Sequence, residues 1–482
     1  MAQGIDSISR EISGYMSVCD WINDFDTNYN ECIKRFNKKE VDNYLSLKQI
    51  FRPHPIQKIK DSFKIFSREG QTEHFQKEQP IYYDKAGLWW LWNLNEFKWD
   101  LVDEIDILNM IKEKQGVDII TSKSRTEILN SLKQSGRLNK PKPFPITWIQ
   151  FKNKIYDITN GNSFDSTSEY FAVNRIPHSI NHNPETPIMD KILTEWVGEE
   201  YLETLYEILA YCLIPDYPIH RMFCLIGSGS NGKSCFLRLI EHFVGRENIC
   251  ATELDTLINS RFEMAKLHKK LVCLMGETNF TEISRTSIIK KLTGQDSIGF
   301  EFKNKTPFED KNYAKIIIAT NNLPSTTDKT EGFYRRWMII DFNNKFGEEK
   351  DILIDIPQEE YECLASKSVL LLNKLLGRRT FTKEGSIEER MKRYEEKSNP
   401  FDKFWKENII EDSNEKISLK QFKEKLDEWC QENKFRRMSD STINQHMKEK
   451  GIEKYKRTME WVDVPYNQEK PRYWVWEGIK WV

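Results

Sequence analysis

Residues 223–240 read FCLIGSGSNGKSCFLRLI. An apolar run enters a glycine-rich loop, and the loop opens a stretch with apolar residues at helical spacing. The octet Gly227-Ser228-Gly229-Ser230-Asn231-Gly232-Lys233-Ser234 fits GxxxxGK[ST], and strand–loop–helix is the context in which that pattern carries meaning. Glycines let the backbone turn tightly and aim N–H groups at phosphate oxygens. Lys233 is spaced to reach the β- and γ-phosphates, and the Ser234 hydroxyl suits Mg²⁺. At average residue usage a chance match somewhere in the chain comes up roughly once or twice in a hundred such sequences. All eight residues are expected to bind ATP, with Mg²⁺ as cofactor.

Further apolar strands are expected at 271–275, 315–319 and 337–341, with helices between them. That alternation predicts an α/β sheet with parallel pairing. Glu277 follows the first of these strands, in LVCLMGETN, where a carboxylate could hold Mg²⁺ or polarise the attacking water. Stabilisation of a helix N-terminus is the alternative. The next strand ends in IIIATNNLP, and Asn321 or Asn322 could orient water against the γ-phosphate, although turn chemistry accounts for Asn-Asn-Leu-Pro as well. Lys233 to Glu277 and Glu277 to Asn321 each span 44 residues, about one strand–helix–strand unit. Arg335-Arg336 precede the last strand. An arginine finger would spread charge over the transferring phosphoryl group; salt bridges at a strand start would explain the pair equally simply. A finger supplied in trans requires a homo-oligomer.

Two other stretches read as nucleic-acid contacts. Asp296–Phe308 predicts a β-hairpin with Lys303 and Lys305 near its tip. Residues 434–457 carry eight cationic against three anionic side chains, net +5 in 24 residues. There Ser439 reads as a helix cap. Residues 441–450 predict a short helix, and Arg436, Arg437, Thr442, Gln445 and Lys448 become candidates for duplex contact. The aromatic tail 461–481 is expected to form the strands of a wing. The charged stretch 384–400 predicts a helix ending at Ser398-Asn399-Pro400, read as a linker to a separate domain. Upstream, 1–75 reads as polar and helical, 80–110 as a small aromatic sheet leading into a helix near Asp103, and 145–175 as short strands.

Composition narrows the class. The chain has 482 residues, 39% hydrophobic and 30% charged, with Lys+Arg 72 against Asp+Glu 74, a net charge of −2. Global charge therefore says nothing about nucleic acid, and any basic surface is local. No run approaches the ~18–20 apolar residues of a spanning helix, so no membrane partner is expected. Nine scattered cysteines, with no CxxC pair, argue against a disulfide framework or zinc site and for a reducing cytoplasm. Asp24-Phe-Asp26 is the only Asp-x-Asp pair in the first 120 residues and reads as structural, so no primase centre is expected.

With these residues in hand, Arg221–Phe342 resembles the superfamily 3 AAA+ helicases, in particular the phage and plasmid primase–helicase branch. FCLIGSGSNGKS, LVCLMGETN, IIKKLTGQDSIGFEFKNKTPFE, IIIATNNLP and FYRRWMIIDF carry the resemblance. WIQFKNKIYDITNGNSFDSTSEYFAVNRIPHSI is similar to the lead-in domain of that branch and RYWVWEGIKW to the end of its winged helix, so roughly 145–482 is covered. Within the branch, the replication initiators of staphylococcal pathogenicity islands are the group it is most similar to. The resemblance implies an α/β fold: an AAA+ P-loop core of superfamily 3 type at 206–385, a lead-in domain at 121–205, a mixed α/β accessory region at 1–120 and a winged helix at 396–482. It implies a homohexameric ring that hydrolyses ATP, moves 3′ to 5′ on single-stranded DNA and binds duplex origin DNA, with host replication proteins as further candidate partners. It assigns the sensor to Asn321, the finger to Arg336 first and Arg335 second, and the strand contact to the hairpin lysines. The family's frequent double acid is here Gly276-Glu277, so a single carboxylate stands where metal and base roles would divide. The competing expectation is an AAA+ DNA-binding regulator that hydrolyses ATP without unwinding. A small-molecule kinase explains neither the double arginine nor the basic carboxyl-terminal region.

Overall fold

The computed structural model describes residues 30, 33–39, 41–42, 78–115, 122–227, 229–276, 282–283, 285–347, 351–432, 437–458 and 472–482. Ser228, Glu277, Arg436, the Asp24-Phe-Asp26 pair, most of the stretch read as helical at 1–75 and the first part of the expected wing lie outside the described residues. The chain divides into two compact units, one formed by 1–95 and 99–141, the other by 96–98 and 142–482.

In the first unit, strands β1 (Ile81–Tyr83), β2 (Trp89–Asn93) and β3 (Lys98–Val102) form a sheet in that order. Helices α1 (Glu104–Gln115) and α2 (Ser122–Leu138) follow. Ile81, Trp89, Ile107, Ile111, Leu129 and Leu132 make the core of this unit.

The second unit opens with three short antiparallel strands, β4 (Trp148–Gln150), β5 (Ile155–Asp157) and β6 (Ser163–Phe164), then helices α3 (Pro187–Val197) and α4 (Glu199–Tyr211). Its centre is a five-stranded parallel sheet. In chain order the strands are β7 (Met222–Ile226), β8 (Ile249–Ala251), β9 (Val272–Met275), β13 (Lys315–Thr320) and β15 (Trp337–Asp341), and across the sheet they run β15-β7-β13-β9-β8. Strands covered on both faces must be apolar throughout, and successive side chains separate the two cores. Phe223, Leu225, Val272, Leu274, Ile317, Ala319, Met338 and Ile340 join one. Met222, Cys224, Ile226, Cys273, Met275, Ile316, Ile318, Trp337 and Ile339 join the other. Helices α3, α4, α5 (Lys233–Val244) and α9 (Gln358–Arg378) cover the first face. The opposite face is covered by α6 (Leu254–Asn259), α7 (Thr286–Thr293), α8 (Glu331–Tyr334) and α10 (Ile387–Ser398).

Four of the five strands fall where the apolar runs place them. The fifth, β8, has three residues at the sheet edge, too few to show a period in the sequence. Between β9 and β13, β11 (Ser297–Phe300) and β12 (Phe308–Lys311) form the expected antiparallel hairpin. Two further short strands, β10 (Glu282–Ile283) and β14 (Ser325–Thr326), pair in parallel outside the main sheet. The stretch read as a linker is different in kind. Asn399 ends α10 and caps α11 (Pro400–Asn408) at once, its Oδ1 accepting the amide of Phe401 at 3.0 Å. Beyond it run β16 (Ile409–Ser418), α12 (Leu419–Glu432), α13 (Asp440–Glu449), β17 (Lys454–Thr458) and β18 (Arg472–Trp481), with an antiparallel sheet ordered β16-β18-β17. This region has its own core of Phe401, Phe404, Phe422, Leu426, Ile443, Met447 and Ile479.

Candidate functional site

The glycine-rich loop leaves the carboxyl end of β7, the side on which open α/β sheets bind ligands. Gly232 sits at φ +90°, and a β-carbon there would lie 2.7 Å from the Trp196 ring. A β-carbon on Gly227 would lie 1.8 Å from Asn231 Nδ2 and 2.4 Å from the carbonyl oxygen of Phe342. The loop is therefore held from below by Trp196 of α3 and from the side by the chain after β15. Asn231 Nδ2 donates to Phe342 O (2.8 Å), and Phe346 N donates to Ser230 O (2.7 Å). Neither Trp196 nor the Asn231 tie is legible from the motif, whose second through fifth positions are free.

Lys233 is buried at the start of α5. Its Nζ donates to Gly227 O (2.6 Å), Asn231 Oδ1 (2.8 Å) and Asn321 Oδ1 (3.4 Å). The ammonium thus bridges the ends of adjacent strands β7 and β13, paired through Thr320 and Ile226. Ser234 is exposed beside it. A helix of twelve residues behind a close-approach loop, a lysine and an exposed hydroxyl form a donor set suited to a nucleotide phosphate and its Mg²⁺.

The geometry separates the two asparagines. Asn321 meets Lys233, whereas Asn322 Oδ1 accepts from Lys403 Nζ (2.6 Å). Thr320 Oγ1 closes the turn, donating to Asn322 O (2.8 Å) and accepting from Asn322 N (3.3 Å). On the neighbouring strand, β9 ends at Met275, level with Ile318.

Arg335 and Arg336 are not near this cluster. The amide of Met222, the first residue of β7, donates to Arg336 O (2.7 Å), so four residues at ~3.3 Å each, roughly 13 Å of strand, separate the pair from the glycine-rich loop. The two also differ. Arg336 is 6% exposed. Its Nε donates to Thr293 Oγ1 (2.8 Å), its Nη2 to Lys290 O (3.1 Å) and its Nη1 to Gly332 O. Arg335 is exposed. The arginine ranked first by resemblance is bound within its own subunit, and the second ranked is the one that projects.

In the hairpin, Phe300 pairs with Phe308, and the seven intervening residues form the tip. Lys305 N donates to Phe302 O (3.0 Å) around Asn304 at φ +62°. Lys303 and Lys305 are both exposed. The base is rigid: Phe302 stacks on Phe308 with ring centroids 6.1 Å apart, and His268 packs against Phe300, Phe302 and Phe308. Burial would raise the Asp310 carboxyl, but bonds from His268 and the adjacent Lys269 charge outweigh it and hold it well below the usual carboxylate range.

In the carboxyl-terminal region, Ser439 Oγ accepts the amide of Thr442 (3.2 Å) and caps α13. Gln445 and Lys448 are exposed on that helix and Thr442 is half-buried. Arg437 is exposed, 3.6 Å from Asp427. Arg437, Thr442 and Gln445 line a cleft of about 670 Å³ together with Ser325, Thr326 and Lys329. Among the described residues, no helix is long and apolar enough to cross a membrane.

Residues 225–336 match a family of unknown function (DUF5906). The chain is also similar to a protein of Acanthamoeba polyphaga mimivirus provisionally named helicase L207/L206, at 25% identity over 213 residues, 41% of this chain. The aligned part covers 22% of that protein's length. Two solved structures of the C-terminal region of NrS-1, both apo, align over 84% and 85% of this chain and 98% of theirs, at 12% and 13% identity with TM-scores of 0.41 and 0.43.

Proposed function

We propose that this chain is an ATP-driven DNA helicase of superfamily 3 type acting in replication, in which each ATP site is completed by a neighbouring subunit of a homohexameric ring. One observation carries the proposal. Lys233 and Asn321 meet at the carboxyl ends of β7 and β13, while the exposed Arg335 stands at the far end of the same sheet. A guanidinium roughly 13 Å of strand away cannot serve its own phosphate loop, but it can serve the next subunit's. Helicase-like similarity over 213 residues supports the same reading.

In this mechanism the loop amides and Lys233 bind the β- and γ-phosphates. Lys233 exchanges its bonds to Gly227 O and Asn231 Oδ1 for phosphate oxygens. Asn321, freed from Lys233, orients the attacking water. Arg335 of the adjacent subunit spreads the charge that develops on the transferring group, an effect of about 10³–10⁵ in rate where such fingers act in trans. Mg²⁺, held through Ser234, would neutralise charge on the β- and γ-oxygens. Glu277 remains the proposed base by its place in the sequence after β9.

Lys303 and Lys305 would contact single-stranded DNA inside the ring, with 3′ to 5′ movement. The order helix, strand, two helices, two strands in 400–481 supports a winged helix that docks α13 on duplex origin DNA. Strand displacement on forked and 3′-tailed duplexes, with wild type and Lys233→Ala, tests the proposal. ATP-dependent displacement by wild type alone is expected. Hydrolysis without displacement would favour a regulator.

A further inference from the structure

The core and the carboxyl-terminal region are joined by a helical elbow, α10 to α11, with Asn399 at the bend. The amide of Asn399 donates to Glu395 O (3.0 Å), and its side chain caps the next helix. This elbow grips the segment that runs from Asn321 to Arg335. Near the start, Lys403 Nζ donates to Asn322 Oδ1 (2.6 Å) and Tyr394 OH to Pro324 O (2.7 Å). Near the end, Glu395 accepts from Lys329 Nζ (2.7 Å) and Tyr334 OH (3.1 Å).

The gripped segment begins at the side chain that reaches Lys233 and ends at the exposed arginine. Its middle is pinned to the core by Asp328, which accepts from Lys290 (2.6 Å) and Thr286 (2.5 Å). Ser325, Thr326 and Lys329 also line the cleft that Arg437, Thr442 and Gln445 line. Glu395, Ser398, Asn399 and Pro400 of the elbow line the same cleft, so anything that enters it meets the segment and the elbow that grips it together.

We propose that Lys403 is a positioning residue for ATP hydrolysis: by fixing Asn322 it sets the orientation of Asn321, and it makes turnover answer to duplex DNA held by the carboxyl-terminal region. The inference rests on the ATPase reading above. Lys403 is the one cation of α11 with a hydrogen bond to the sensor turn among the described residues. The turn is short, so a shift at Asn322 is passed to Asn321 through one peptide unit. A reacting group misplaced by about 1 Å costs on the order of 10²-fold in rate. Position, not binding, is what Lys403 controls, because Lys233 and the loop amides hold the phosphates without it.

The test uses the full chain with Lys403→Met, Lys403→Arg and Asn322→Ala. It measures steady-state hydrolysis with and without a tailed duplex, affinity for a fluorescent ATP analogue, and melting temperature. Lys403→Met is expected to lower kcat at least about fivefold and to abolish the response to duplex, leaving nucleotide affinity within about twofold and melting unchanged. Lys403→Arg should restore both, and Asn322→Ala should reproduce Lys403→Met with no further loss in the double variant. Unchanged kcat and duplex response would overturn the inference. So would a kcat loss that comes with equal losses of affinity and thermal stability and is not rescued by arginine. Wild-type turnover is measured in the same assay: its absence overturns the ATPase reading and this inference with it, whereas active wild type beside an unaffected Lys403→Met overturns this inference alone.

Discussion

The backbone carbonyl of Arg336 accepts the amide of Met222 at 2.7 Å, at the opposite end of β7 from the glycine-rich loop. That pairing fixes the double arginine away from the glycine-rich loop of its own subunit, and the two side chains differ in their surroundings. Arg336 bonds three groups inside the subunit, and Arg335 faces out. Arg336→Ala leaves buried partners unsatisfied and should cost about 2–4 kcal/mol of stability in denaturant melts. Arg335→Ala should melt like wild type yet lose at least about 10²-fold in hydrolysis, measured at protein concentrations where the assembly forms.

Gly227 has no room for a side chain. Gly227→Ala must push aside Asn231 Nδ2 and the Phe342 carbonyl, which lie 1.8 Å and 2.4 Å from the new carbon. Overpacking of this kind costs about 1–3 kcal/mol. Because Asn231 also holds Lys233, nucleotide affinity should fall together with melting temperature, as read by calorimetry and a fluorescent ATP analogue.

The hairpin tip carries its lysines in solvent on a base fixed by stacked rings. Lys303→Ala with Lys305→Ala should spare the fold and basal hydrolysis and abolish strand displacement. The dependence of single-strand affinity on log salt should flatten by about 0.7 for each phosphate that the variant no longer neutralises.

Lys315 is fully buried at the start of β13, with Nζ donating to Ile214 O and the Tyr211 and Tyr217 rings nearby. Burial pulls its pKa down to about 7, against smaller upward pulls from Cys212 and Asp216. The folded state therefore gives up this proton far more readily than the unfolded chain, whose lysines titrate near 10.4. Between those values the unfolded state binds more protons, so this residue's contribution makes stability rise with pH, by at most about 1.4 kcal/mol per unit. Lys315→Met should remove that slope from pH 7 to 10 and raise stability most at and below pH 7, measured by denaturant melts across the range.

The sheet was legible because strands buried on both faces are written as unbroken apolar runs, and four of the five were long enough to be read. The strand–loop–helix placement of the glycine-rich stretch was legible because its glycines and the apolar runs on either side leave few alternatives. What escaped was decided by tertiary contact. Nothing local separates Asn321 from Asn322, or Arg335 from Arg336; only their partners Lys233, Lys403 and Thr293 do. Ser398-Asn399-Pro400 reads as a break because proline cannot continue a helix, yet proline starts one equally well when an asparagine caps it. Trp196 lies among ordinary core residues in the sequence, and only the loop above it gives its ring a second use.

Completion of each ATP site by a neighbour is most directly tested by mixing subunits. Lys233→Ala and Arg335→Ala proteins, each inactive alone, are combined and hydrolysis is followed at matched total concentration. Recovery of a definite fraction of wild-type turnover is predicted, because some interfaces then join an intact lysine to an intact arginine. A mixture that stays silent although the two variants co-assemble, or an Arg335→Ala protein as active as wild type, would contradict it.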